Sequence, residues 1–180
     1  SPLTITAPVV NSDGGNITLT ATNDGGDDDD LTISANVTAT GGDGAIDLNA
    51  GTDLIVNNDV VVSTVGAGNI TGDAVRAIDI LSNAATTTIQ SVSGNITLTA
   101  NRGGAAVTGD FTGISIDDAI VTATTGNISL DGRSGDSSND GIALTSGTVV
   151  STTGAGSGTI TFDGDGVSGG GDGIFITDAG

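Results

Sequence analysis

Aspartate carries almost all of the reactive chemistry in this sequence. All 22 acidic residues are Asp, and Arg76, Arg102 and Arg133 are the only fixed cationic side chains. There is no His, Cys, Met, Glu or Lys. Without imidazole or thiolate the chain has no soft ligands for zinc, copper or iron, and no Ser-His or Cys-His nucleophile system. Carboxylates and the carbonyls of glycine-rich loops instead suit a hard, oxygen-liking cation, above all calcium.

Two acidic loops are the candidate ligand sets: Asp27, Asp28, Asp29 and Asp30, and the run Asp163, Asp165 and Asp172. Asp also recurs just before an apolar-x-apolar triplet, at Asp30, Asp53, Asp140 and Asp172. If successive copies of that triplet stack about 4.8 Å apart, Asp30 meets Asp53 and Asp140 meets Asp172. Like charges at that spacing cost about 1 to 4 kcal/mol, and a bound cation reverses the sign. Neither loop has EF-hand spacing, and GGDGAID at Gly41 carries Ile46 where the nonapeptide calcium repeat needs Asp. Asp and Gly are equally the residues of solvated turns, so calcium ligation and plain turn chemistry both fit.

Three further patterns invite chemistry. Asn16, Asn36, Asn69, Asn95 and Asn127 each open an Asn-x-Ser/Thr glycosylation acceptor, yet most fall after Gly at one point of a repeat, where a left-handed corner and a stacked Asn ladder account for them. Thr-x-Thr pairs suggest an ice-binding face, but Asp residues interrupt the outward columns. Asp117 with Asp118, or Asp163 with Asp165, could be an acid–base pair with Arg133 as a clamp, since inverting glycosidases hold two carboxyls roughly 6.5 to 9.5 Å apart. The chain lacks the Trp and Tyr that stack on sugars, and each Asp has a turn or ladder explanation, so the sequence reads as non-enzymatic.

The elements that position these residues are repeats. GNITLTA occurs unchanged at Gly15 and Gly94, with variants at Gly44, Gly68, Gly126 and Gly158. This closing strand begins at Ile17, Ile46, Ile70, Ile96, Ile128 and Ile160. A leading strand precedes it at Leu3/Ile5, Leu31/Ile33, Leu54/Val56, Ile78/Ile80, Ile114/Ile116, Ile142/Leu144 and Ile174/Ile176. Between them a middle strand is placed on Val9, Val37, Val60, Ile89, Ile120 and Val149. Leading strands recur every 23 to 36 residues, and the variable length sits mainly in the loop from closing to leading strand.

Three short strands per repeat with insertions at one corner predict an all-β parallel β-solenoid of about six turns, with acidic Gly-rich corner loops. Two β-sandwich domains are the competing architecture, but they do not require one tripeptide in the same phase six times. Residues 1–180 read as a single module. A net charge of −19 with three basic side chains argues against nucleic acid or anionic membrane as partner. No apolar run approaches the roughly 20 residues that span a bilayer, so membrane insertion is not expected.

The GNITLTA, GNISLDG and GTITFDG repeats resemble those of large bacterial exoproteins of the filamentous-haemagglutinin and autotransporter-passenger type. The resemblance covers nearly the whole chain and rests on low-complexity motifs. It implies a right-handed parallel β-helix in an extracellular or cell-surface protein, used as a stalk or for adhesion to a host-cell or matrix surface. Those proteins are typically much longer and carry secretion or capping domains, which these residues do not display. Ser1-Pro2 reads as the start of a processed or excised piece, and the sequence starts and stops in leading strands. The expectation is a segment of a longer solenoid, or a fibre subunit that self-associates through open ends and is stabilised by calcium. A carbohydrate-binding or carbohydrate-cleaving β-helix is the alternative.

Overall fold

The computed structural model describes residues 1–25, 28–82, 86–136, 138–156, 158–167 and 170–178. Among them there is no helix. The leading strands are β1 (Leu3–Ile5), β4 (Leu31–Ile33), β7 (Leu54–Val56), β10 (Ile78–Leu81), β13 (Ile114–Asp117), β16 (Ile142–Thr145) and β19 (Ile174–Ile176). The middle strands are β2 (Val9–Asn11), β5 (Val37–Ala39), β8 (Val61–Thr64), β11 (Thr88–Ser91), β14 (Ile120–Ala123) and β17 (Val149–Thr152). The closing strands are β3 (Ile17–Ala21), β6 (Ile46–Ala50), β9 (Ile70–Ala74), β12 (Ile96–Ala100), β15 (Ile128–Arg133) and β18 (Ile160–Asp165). Each class forms its own sheet, of seven, six and six strands, and each strand pairs in parallel with its counterparts in adjacent turns. The fold is a parallel β-solenoid of about six turns.

The register predicted for the leading and closing strands holds residue for residue. Leu3, Leu31, Leu54, Ile78, Ile114, Ile142 and Ile174 form one column, and the six closing-strand isoleucines another. Ile46, Ile70, Ile96 and Ile128 are completely shielded from solvent. Burying such a side chain contributes about 1.5–3 kcal/mol, so the stacked columns supply the main driving force.

The middle strands shift the sequence reading by one residue in two turns and by two residues, on the same face, in a third. The inward column runs Val9, Val37, Val62, Ile89, Val121 and Val150, so Val62, Val121 and Val150 stand where Val60, Ile120 and Val149 were expected. Val149 is exposed and Ile120 half-buried. Ile120-Val121 and Val149-Val150 are adjacent β-branched pairs, so apolar spacing alone does not fix the phase, and a one-residue slip reverses every side chain; Val60 does face inward, 1% exposed, but lies just before β8, two residues from the ladder position that Val62 takes.

From the second turn on, the Gly before the closing strand has a physical cause. A methyl group on Gly94 would run into the Gly68 carbonyl oxygen, and one on Gly126 into that of Gly94. Consecutive turns therefore touch backbone to backbone at this corner. The asparagines that follow are not left-handed as expected, because positive φ among non-glycine residues falls instead at Asp59, Asn101, Asp118 and Ser146.

Candidate functional site

All three arginines and most candidate aspartates gather at one corner, where closing strands hand over to leading strands. The expected stacking of carboxylate on carboxylate does not define it. Asp30 Oδ1 accepts the Asp53 N–H at 3.1 Å, and Asp140 Oδ1 accepts the Asp172 N–H at 2.7 Å. Asp53 Oδ1 in turn accepts the Ala77 N–H at 3.1 Å and the Arg76 Nε–H at 2.7 Å, while Arg76 Nη2 meets Asp53 Oδ2. Each carboxylate thus reaches the main chain of the next turn, which charge-assists the ladder.

Farther along the corner, Arg102 reaches across turns. Its Nε lies against the Asp131 carboxylate, its Nη2 donates to Asp163 O at 3.0 Å and Oδ1 at 3.2 Å, and its Nη1 donates to Asp165 Oδ2 at 3.5 Å. Arg133 Nε donates to Asp165 Oδ2 at 2.8 Å. Asp163 and Asp165 therefore serve as partners for arginine. Arg133, considered as a substrate clamp, is engaged by the strand beside it.

The first acidic loop is dispersed. Asp27 lies outside the described residues, Asp28 is exposed, and Asp29 is buried. Asp29 receives the Ser1 amino group and the Asp24 N–H, and these donors hold its carboxyl below the usual range. Among the described residues no group of three or more acidic side chains is arranged to hold a metal ion.

All five asparagines of the acceptor motifs share one role. The Oδ1 atoms of Asn16, Asn36, Asn69, Asn95 and Asn127 accept the main-chain N–H of Ala45, Val61, Asn95, Asn127 and Thr159, at 2.8 to 3.0 Å. Each bond joins one turn to the next, which gives the side-chain carbonyl a structural task. On the outward faces, Thr71 donates to Asp47 at 2.6 Å and Thr145 to Asp117 at 2.8 Å, so hydroxyls are tied up with carboxylates. Bonds from Ser146 and Thr145 hold the Asp117 carboxyl below its ordinary range, which favours the charged form over a proton donor. Neighbouring Asp118 sits in a left-handed turn.

Two residues that sequence reasoning passed over stand out. Asp79 faces outward on β10 beside Ile55 and Ser115, and burial, followed by the charge of Asp53, pushes its carboxyl up to about 6 against the pull of Arg76. Asn101, 2% exposed, clamps the loop after β12: its Nδ2 donates to Val107 O at 3.0 Å and its Oδ1 accepts the Val107 N–H at 2.7 Å. Only the Ile-Asp-Ile alternation at 78–80 and the length of the loop after β12 hinted at either. Comparison of the chain with protein-family models, curated proteins and solved structures finds no match.

Proposed function

We propose that this chain is a non-enzymatic, extracellular structural module, a stalk, fibre or adhesin element, that stacks end to end with turns of its own kind. The observation that carries the reading is the unbroken register of three parallel sheets, whose outermost strands leave one edge unpaired and the core columns open. At the end formed by β17, β18 and β19, Ile160 is 40% and Ile176 64% exposed, although their counterparts Ile128 and Ile116 are fully covered. At the opposite end Leu3, Ile5 and Val9 are only partly covered. A further turn laid on either end would bury these residues and pair the strand edges, a contact that propagates and does not close.

The ion pairs and ladder bonds support the same reading, because they use the acidic and amide side chains to join turns. Calcium bridging of acidic corner loops is the cofactor this reading admits, and an exterior location is consistent with the acidic coat. Electron microscopy across a concentration series, with and without a calcium chelator, is the test. Rods growing in steps of about 29 Å, six turns at the strand spacing, are expected. Compact monomers in both conditions, together with turnover of an acidic polysaccharide, would overturn it.

A further inference from the structure

The corner loops differ in length, and the difference leaves a cleft on the side of the solenoid. The second and third turns pass from closing to leading strand through Gly51-Thr52-Asp53 and Val75-Arg76-Ala77. The first and fourth take the longer routes 22–30 and 101–113. The short crossings make a floor and the long ones contribute to its sides. Two hollows of 430 and 370 Å³ share Arg76, with Asn23 on the first loop and Val107, Thr108 and Phe111 on the other.

The longer wall is built into the fold. The buried Asn101 clamp fixes Val107, the Gly109 N–H donates to Gly135 O at 3.1 Å, and the Gly135 N–H returns a bond to Phe111 O at 3.1 Å. The Phe111 ring packs where a methyl group on Gly135 would otherwise sit. A cleft held this way is preformed, so a ligand would not have to order it.

Its lining favours an uncharged, hydroxyl-bearing ligand. The hollow beside Phe111 is lined by Asp53, Asp79 and Asp110 against Arg76, so the lining repels anions, and the charge of −19 on the whole chain repels them further. Asp53 spends its oxygens on Arg76 and the Ala77 N–H, Asp110 accepts the Asn139 amide at 2.7 Å, and burial pushes the Asp79 carboxyl up to about 6, so these carboxylates make a poor cation site. Threonine hydroxyls at Thr108 and Thr112 both donate and accept, as sugar hydroxyls do, while the buried Thr52 hydroxyl already accepts the Asp29 N–H at 3.3 Å. Phe111 supplies the apolar surface that Trp or Tyr would otherwise give to a sugar C–H face.

We infer that this cleft binds a neutral oligosaccharide. The inference does not rest on end-to-end assembly, since the cleft lies within one copy of the chain. The test is a ¹⁵N–¹H NMR titration of the full chain with cellohexaose, xylohexaose, laminarihexaose and mannohexaose, with hexagalacturonate as the acidic comparator. At least one neutral sugar is expected to shift the amides of Thr52, Arg76 and residues 107–112 while leaving the middle-strand sheet unmoved. Thr108→Arg, at an exposed position of the loop wall, should weaken binding about tenfold or more with thermal unfolding unchanged, and Phe111→Ala should weaken it as much while also lowering the unfolding temperature through the lost packing on Gly135. The inference is overturned if no neutral sugar moves these amides at about 10 mM, weaker than any useful affinity. Shifts located elsewhere, both variants binding like the wild type, or tighter binding of the galacturonate would overturn it equally.

Discussion

Asp79 carries the clearest pH signature in the molecule. Its carboxyl is pushed up to about 6, chiefly by burial and then by Asp53, against an ordinary value of 3.8. The folded state therefore holds this proton more tightly than the unfolded chain does. Stability from this group is complete below about pH 4, is lost as pH rises through 6, and stays lost above it. Asp79→Asn removes the loss, so the variant should exceed the wild type by about 1–3 kcal/mol at pH 7.5 and match it near pH 4. Paired urea unfolding at the two pH values measures this. Comparing variant with wild type cancels Asp117, whose depressed carboxyl acts in the opposite direction, and the general repulsion among aspartates. An equal difference at both pH values would refute the assignment. The asparagine ladder offers a second residue-scale prediction. Asn95→Ala leaves the Asn127 N–H without its side-chain acceptor and should cost about 1 kcal/mol in the urea midpoint, whereas Asn95→Asp keeps an acceptor and should cost less.

At the scale of the strand and its corner, two glycines of one motif family make opposite demands. Gly94 faces the Gly68 carbonyl, a backbone atom that cannot yield without separating two turns. Gly72 replaces leucine in the inner column of the closing strands, and its missing side chain is filled by Leu98 Cδ2 and Leu54 Cδ2, 2.8 and 3.0 Å from where a Cβ would sit. Those are side-chain tips that can rotate. Gly94→Ala should therefore cost about 3 kcal/mol or more, and Gly72→Ala about 1 kcal/mol, read as shifts in thermal and urea unfolding. Equal costs would show that the corner is softer than the contact implies. The same elements show what could be read beforehand. The leading strands were legible because a single apolar-x-apolar triplet leaves one phase, and the closing strands because Ile, Leu and Ala alternate with Thr. The middle strands were legible only in part, because Ile120-Val121 and Val149-Val150 offer two phases of similar hydrophobicity, while Val60 and Val62 share one phase and compete for a single ladder position. Register placed Asp30 beside Asp53 and the asparagines in a ladder, but not that their oxygens accept the main-chain N–H of the next turn, and the reach of Arg102 to Asp163 and Asp165, 61 and 63 positions away, was hidden because it depends on side-chain direction across two turns. The cleft was not read beforehand, since loop lengths show that one corner varies but not that Asn101 and Phe111 wall a hollow there.

Across the whole molecule, stability should run along the solenoid axis. In a repeat structure each turn contacts only its neighbours, so interior turns are held from two sides and end turns from one. The exposures follow that gradient: inward residues of β4 to β15 are almost all covered, while β19 is exposed along its length. Native-state hydrogen exchange should therefore show the slowest amides in β7, β9, β12 and β13, and exchange at least about tenfold faster in β1, β2, β17 and β19. The same measurement bears on assembly. End-to-end stacking pairs the outer strand edges of one copy with those of the next, so protection should rise with protein concentration in β1–β3 and β17–β19 and remain constant in β7–β12. If the ends stay equally open at every concentration while the centre remains protected, copies of this chain do not cap one another. Protection that rises uniformly would instead point to lateral association through the outward faces, where Thr71 with Asp47 and Thr145 with Asp117 already satisfy each other and leave little for a neighbour to bind.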